Sequence, residues 1–186
     1  MLSVETPHFA AFQPPPQIKS LSPLLRGKIL VDTRTERSGR NAVTAEMYLP
    51  LRRSQVWGQV TNYPRWVEFF PDIVQSRVLA ERVDKAHASK RIYQLGRKTF
   101  LMLAIEAEIY LQVTEFLQER IQFRFEQGTF SDFSADLTLQ DHGQGTVLTY
   151  AVQATPLIPV PGFMIEQLLR QDLPGNMAQM RRVLCA

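Results

Sequence analysis

Cysteine is nearly absent: the chain holds one, Cys185, beside its C-terminal residue. No intrachain disulfide can form, so the fold rests on burial alone. Long apolar runs are missing as well. The longest, Phe100 to Ile105, has six residues, whereas a membrane-spanning helix needs about 20. Histidine is scarce, and His8, His87 and His142 share no ligand spacing such as HxxxH, so no metal and no cofactor is expected. There is no GxSxG, P-loop or GxGxxG pattern, which removes the usual signatures of nucleophile-elbow hydrolases, nucleotide triphosphatases and dinucleotide enzymes.

Charge of one sign is missing from the body of the chain. Residues 1–40 carry six basic side chains (Lys19, Arg26, Lys28, Arg34, Arg37, Arg40) and three acidic ones (Glu5, Asp32, Glu36). Beyond them the signs cancel, with 15 basic and 15 acidic residues. A basic stripe on the domain marks a nucleic-acid binder, and none is present, so no nucleic-acid partner is expected. A basic leader suits contact with an anionic membrane surface. No charged start followed by an apolar segment marks a secretory signal, and a cytoplasmic protein, peripheral at a membrane surface at most, is expected.

What is present is regular from Asn41 onward. The first 40 residues hold five of the twelve prolines, including Pro14-Pro15-Pro16. They read as a flexible, Pro-rich basic leader, with Lys28 to Thr35 a short extended stretch at its end. Residues 1–25 are expected to make few contacts with the domain at 41–186. Val43, Ala45, Met47 and Leu49 then alternate with polar neighbours, a strand pattern. Two short helices follow, one over Leu51 to Thr61 with Val56, Trp57 and Val60 on a face. The other opens at Pro64 and carries Trp66, Phe69 and Phe70 together.

Six more strands are expected at Ile73–Val83, Ala88–Lys98, Leu101–Glu115, Leu117–Gln127, Thr129–Gln140 and Thr146–Thr155. Their alternation of apolar and polar residues implies an antiparallel sheet covered on one face. Gln127-Gly128 and Asp141 to Gly145 supply turns. The cover is a long helix, Gly162 to Leu184, with a stripe of Ile165, Leu168, Leu169, Leu173, Met177, Met180 and Leu184. Pro174 inside it is expected to kink the helix near Leu173.

Three stretches carry a family resemblance: Ala45–Leu79 with the segment WGQVTNYPRWVEFFP, Gly128–Leu139 (GTFSDFSADLTL), and Gly145–Arg181 with the segment DLPGNM. In these the chain resembles the START-like (SRPBCC, Bet v 1-like) superfamily, and within it the coenzyme Q-binding and polyketide cyclase-dehydrase branch of cyanobacterial or plastid type. The resemblance covers roughly residues 41–184. It implies an α+β helix-grip fold: a curved antiparallel sheet of about seven strands around a long C-terminal helix, with an apolar cavity between them. Such proteins bind lipids, sterols, isoprenoid quinones or polyketides, and a minority are enzymes. Many relatives carry Gly-x-Trp where this chain has Ala135-Asp136-Leu137, which alters the cavity wall.

The candidate cavity residues are Trp66, Phe70, Phe123, Phe125, Phe133, Tyr150, Met164 and Leu168, an aromatic and methionine set suited to a concave apolar pocket. The same side chains also suit a filled core. Trp66 to Phe70 and the region of Met164 are expected to frame the mouth. Tyr150 faces inward, so its hydroxyl needs a protein or ligand partner. Glu106 and Glu108 read as outward. An enzyme would need an inward polar dyad, for which the sequence offers Tyr150 and, if that strand's parity is reversed, Tyr93 or Arg91. No catalytic residue is assigned. The expected function is non-enzymatic binding or transfer of a hydrophobic small molecule, lipid or quinone-like. The rivals are a cyclase or dehydratase in the same cavity and a scaffold with a filled core.

Overall fold

The structure is a computed structural model that describes residues 21–35, 41–83, 87–100, 103–156 and 162–186; within these, the side chains of 34–35, 41, 99–100, 103–105, 156 and 162–169 lie outside the description. One eight-stranded antiparallel sheet carries it. The strands are β1 (Leu30–Thr35), β2 (Asn41–Leu49), β3 (Ile73–Val83), β4 (Ala88–Phe100), β5 (Leu103–Phe116), β6 (Arg120–Gly128), β7 (Phe130–His142) and β8 (Gly145–Pro156). Their order across the sheet is β1-β2-β8-β7-β6-β5-β4-β3. The helices are α1 (Leu21–Leu25), α2 (Arg53–Val60), α3 (Trp66–Phe69) and α4 (Gly162–Leu184), with a 3₁₀ turn at Tyr63–Arg65 before α3. This is the expected α+β arrangement of a curved sheet with a C-terminal helix.

Period-two alternation sets the register. Ala45 stands beside Tyr150, Tyr150 beside Leu137, and Leu137 beside Ile121. One rung further, Val43, Val152, Ala135 and Phe123 line up in the same way. All eight side chains are buried. The opposite face carries the polar partners, such as the Arg124–Asp136 pair at 3.0 Å and Arg91–Glu126 at 2.8 Å.

Helix α4 is anchored through its C-terminal half. Leu173, Met177, Met180 and Leu184 are buried, and the helix packs on β2, α3, β1 and β8. Gln59 Nε2 donates to the Leu184 carbonyl at 3.1 Å, and Gln179 Nε2 donates to that of Glu68 at 3.1 Å. Pro174 lies inside the helix, which is continuous from Gly162 to Leu184.

Residues 21–35 correct the expectation of a flexible leader up to residue 40. Leu30–Thr35 pairs along the free edge of β2 and makes the sheet eight strands wide rather than about seven. Leu24 is fully buried, and Arg181 Nη1 donates to the Gly27 carbonyl at 2.7 Å. The leader residues 1–20 and 36–40 lie outside the described residues. Strand boundaries also differ by one to three residues. The β5–β6 turn takes Leu117–Glu119 out of the strand, with Gln118 at φ 57 and Glu119 N donating to the Phe116 carbonyl. Gly128 ends β6 with one residue between it and β7, beside the expected turn, and is also a close approach of β6 to β5: a Cβ there would stand 2.2 Å from the Glu108 carbonyl oxygen, at φ 142.

Candidate functional site

The concave face of the sheet changes character along its strands. Near the β5–β6 and β7–β8 turns it is closed. Trp66 stacks on Phe70 with ring centroids 5.2 Å apart and touches Phe123 at 4.9 Å and Tyr150 at 6.4 Å. Tyr63 joins this cluster at 6.0 Å from Trp66. The Trp66 indole N–H donates to the Val60 carbonyl at 2.9 Å, which satisfies the polar edge of a ring that is 2% exposed.

Toward the other end the packing loosens. The β6–β7 ladder stops at Arg124–Ser134. Beyond it β6 stays with β5 through a bulge, and β7 stays with β8. Where the two strands part, the inward residues are only half-buried: Phe125 on β6, Phe130 and Phe133 on β7, and Ala154 on β8. The rings of Phe130 and Phe133 stand 6.0 Å apart. A grown exposure of inward apolar side chains at one end of a concave sheet is what an opening into the fold requires.

Inward polar groups sit on β3, β4 and β5. At the closed end Tyr63 Oη donates to Glu115 Oε1 at 2.7 Å, and Lys90 Nζ lies 3.0 Å from the same oxygen and 3.4 Å from Glu81. Burial first, and then the Glu115 carboxylate, push the Tyr63 phenol far above its usual range. Further along β4, Gln94 Nε2 donates to Ser76 Oγ at 3.3 Å, both residues being buried. At the rim Lys98 bridges Asp172 of α4 and Asp72, the latter at 3.3 Å. Burial disfavours the Lys98 charge, but the two carboxylates outweigh it and raise its pKa.

The residues expected at the site divide as follows. Trp66, Phe70, Phe123 and Tyr150 come together in the buried aromatic cluster. Phe125 and Phe133 flank the parting of β6 and β7. The side chains of Met164 and Leu168 lie outside the described residues. Trp66 and Phe70, expected at the mouth, are 2% and 7% exposed and form part of the closed wall instead. Burial, with the Asp136 carboxylate second, drives the Tyr150 phenol well above its usual range. Its hydroxyl makes no hydrogen bond to another described residue. Arg91 and Tyr93 face outward: Tyr93 pairs with Tyr110 at 5.0 Å, and Arg91 lies over Tyr110 at 5.2 Å.

Sequence reasoning missed Lys90, Gln94, Glu115, Ser76 and Tyr63. Glu115 was within reach, because it continues the parity of Ile109, Leu111 and Val113 by one step. Among the described residues no three metal-ligating side chains cluster, and no helix is long and apolar enough to cross a membrane. A polar notch of about 290 Å³ on the outer surface, lined by Arg52, Arg53, Ser54, Gln118, Asp141 and Gln144, lies by the closed-end turns, and its Arg53–Asp141 pair at 2.9 Å occupies part of it.

A curved antiparallel sheet closed over a C-terminal helix defines a helix-grip protein. The profile of the family described as polyketide cyclase / dehydrase and lipid transport matches residues 49–181, well over half of the sequence. The chain belongs to that family. Solved structures share the fold at low identity. A STAR-related lipid transfer protein fragment from Xanthomonas axonopodis is 15% identical, with 84% of this chain and 93% of that one covered and a TM-score of 0.64. Human STARD10 is 11% identical over 86% of this chain and 70% of its own, at 0.66. The Zhui aromatase/cyclase from Streptomyces sp. R1128 is 9% identical over 77% and 92%, at 0.60. No curated protein matches the sequence.

Proposed function

We propose that this chain binds a hydrophobic small molecule, lipid or isoprenoid quinone-like, between the concave sheet and helix α4, and carries it without chemical change. The observation behind this reading is the gradient along the inner face. Phe123 and Ala135 are sealed at 1% exposure each, while Phe125, Phe133 and Ala154, a rung further on, are half-buried where β6 and β7 part. An apolar ligand entering at the parted strands buries these rings and ends against the Trp66–Phe70–Tyr150 wall. Association with a membrane surface, where such ligands reside, is part of the reading, and so is the coenzyme Q-binding branch of the family.

The cyclase or dehydratase reading draws on Glu115, Tyr63 and Lys90, an acid, a phenol and an amine facing inward. Their arrangement favours a structural role. Each satisfies another, Tyr63 is fully buried, and a general acid or base must reach the reacting atom.

The test is mass spectrometry of the organic extract from protein purified without detergent, alongside titration of the stripped protein with an apolar fluorophore. A stoichiometric, intact apolar compound and saturable probe binding are expected. A clean extract together with no probe binding at micromolar protein sinks the binding reading and leaves the scaffold.

A further inference from the structure

Strand β4 directs Lys90, Ile92, Gln94, Gly96 and Lys98 to the concave face, as its register with β5 requires: Ile92 stands opposite Leu111, and Gln94 opposite Ile109. Two of these five are charged, and both charges are matched. Lys90 lies within 3.4 Å of both Glu115 and Glu81, and Lys98 is bridged by Asp72 and Asp172. Gln94 is different. A primary amide offers two donors and two acceptor sites, and among the described residues Gln94 uses one donor, on Ser76 Oγ. It is 7% exposed, so most of its surface is turned away from bulk solvent and toward the inner face.

Its position matters as much as its chemistry. Phe125 shares a rung with Leu111 and Ile92. Gln94, with Ile109 and Ser76, stands one rung further from the closed end. The amide is therefore in the loosened half of the inner face, away from the sealed Tyr63–Glu115–Lys90 cluster.

We propose that Gln94, oriented by Ser76, is the specificity-determining anchor of the binding site and takes a neutral oxygen-bearing group of the ligand, a carbonyl or hydroxyl, in preference to a plain hydrocarbon or an anionic headgroup. This rests on the binding reading above and deepens it. A neutral amide can donate to a carbonyl or accept from a hydroxyl. A phosphate brought to the same place would find each inward lysine already matched by two carboxylates and would meet their negative charge. Tyr150, whose inward hydroxyl makes no hydrogen bond to another described residue, is also neutral.

Three probes of nearly one shape test it: 1-ethylpyrene, 1-acetylpyrene and pyren-1-ylmethyl phosphate, read by energy transfer from Trp57 and Trp66 in the full chain. The parent is expected to hold acetylpyrene about fivefold more tightly than ethylpyrene, the gain of one net hydrogen bond, and the phosphate most weakly. Gln94→Met keeps length and burial and should erase that preference while leaving ethylpyrene affinity within about twofold. Ser76→Ala should weaken the preference without abolishing it. Equal affinity of the parent for ethylpyrene and acetylpyrene overturns the anchor but leaves the binding reading intact. So does a preference that survives in Gln94→Met, and so does tightest binding of the phosphate. Failure of all three probes to bind the parent overturns both.

Discussion

The two ends of the concave face are built from the same strands yet behave as different materials. At the closed end, Ala45, Tyr150, Leu137 and Ile121 form a continuous buried rung. The C-terminal half of α4 presses Leu173, Met177, Met180 and Leu184 into the fold beside it. At the other end the β6–β7 ladder has parted, and the inward aromatics Phe125, Phe130 and Phe133 keep part of their surface. Burial of apolar area is the main stabilising term, so the closed end holds the fold together. The loosened end contributes less, and under the proposed binding reading it is the end that accepts a guest. On that reading, stability and binding are separated along one set of strands.

The largest effect that follows is at the closed end. Met177→Ala, at a fully buried position, should destabilise the protein by about 2–5 kcal/mol, through lost transfer energy and a residual cavity. Phe133→Ala, on the half-buried side, should cost clearly less in the same urea titration. Equal losses would erase the distinction between the ends.

Next in size is the buried polar cluster. Tyr63→Phe removes the 2.7 Å bond to Glu115 and leaves a buried carboxylate short of a donor, at a cost of about 1–3 kcal/mol. The same tyrosine sets an alkaline limit. Its folded-state pKa is raised above the usual value of 10.0, as is that of Tyr150. A group with a raised folded pKa stabilises the fold fully below the unfolded pKa and loses that contribution as pH climbs above it. Stability should therefore fall from pH about 10 upward, and Tyr63→Phe should shrink the slope. A flat profile to pH about 11 would contradict the burial of both phenols.

The smallest effect belongs to the rim. Lys98 and Asp172 are each 39% exposed, so Lys98→Met should change stability by no more than about 1 kcal/mol, and less still at high salt. A larger loss would mean that the rim, too, is part of the structural end.

The same contrast explains what the sequence reveals. Strands β5 to β8 are legible because their inward residues are nearly all apolar: Ile109, Leu111 and Val113, then Ile121 and Phe123, then Ala135, Leu137 and Leu139. The closed end is thus spelled out by period two. Strand β4 hides its parity. Its inward column of Lys90, Ile92, Gln94 and Lys98 is mostly polar, while Tyr93 and Leu95 face outward, so pattern alone invites the reverse assignment that brings Arg91 and Tyr93 inside. Leu30–Thr35 reads as extended, but its place in the sheet is hidden for another reason. An edge strand pairs on one side only, and LVDTRT follows a Pro-rich stretch with too few alternations to show a buried face. The inward aromatics share a face by pattern, but sequence cannot say which of their rings are sealed. That depends on where the β6–β7 ladder parts, a property of the sheet and not of any residue type.

The separation of ends is tested most directly by adding bulk to each. Ala135, 1% exposed, and Ala154, half-buried, both face inward on neighbouring strands. Ala135→Trp should overpack the closed end and cost about 1–3 kcal/mol. Ala154→Phe should leave the urea midpoint nearly unchanged and abolish binding of an apolar fluorophore, because the added ring fills the space the guest needs. Loss of probe binding with stability kept is the predicted result for Ala154→Phe. Destabilisation equal to that of Ala135→Trp, or undiminished probe binding, would contradict the account.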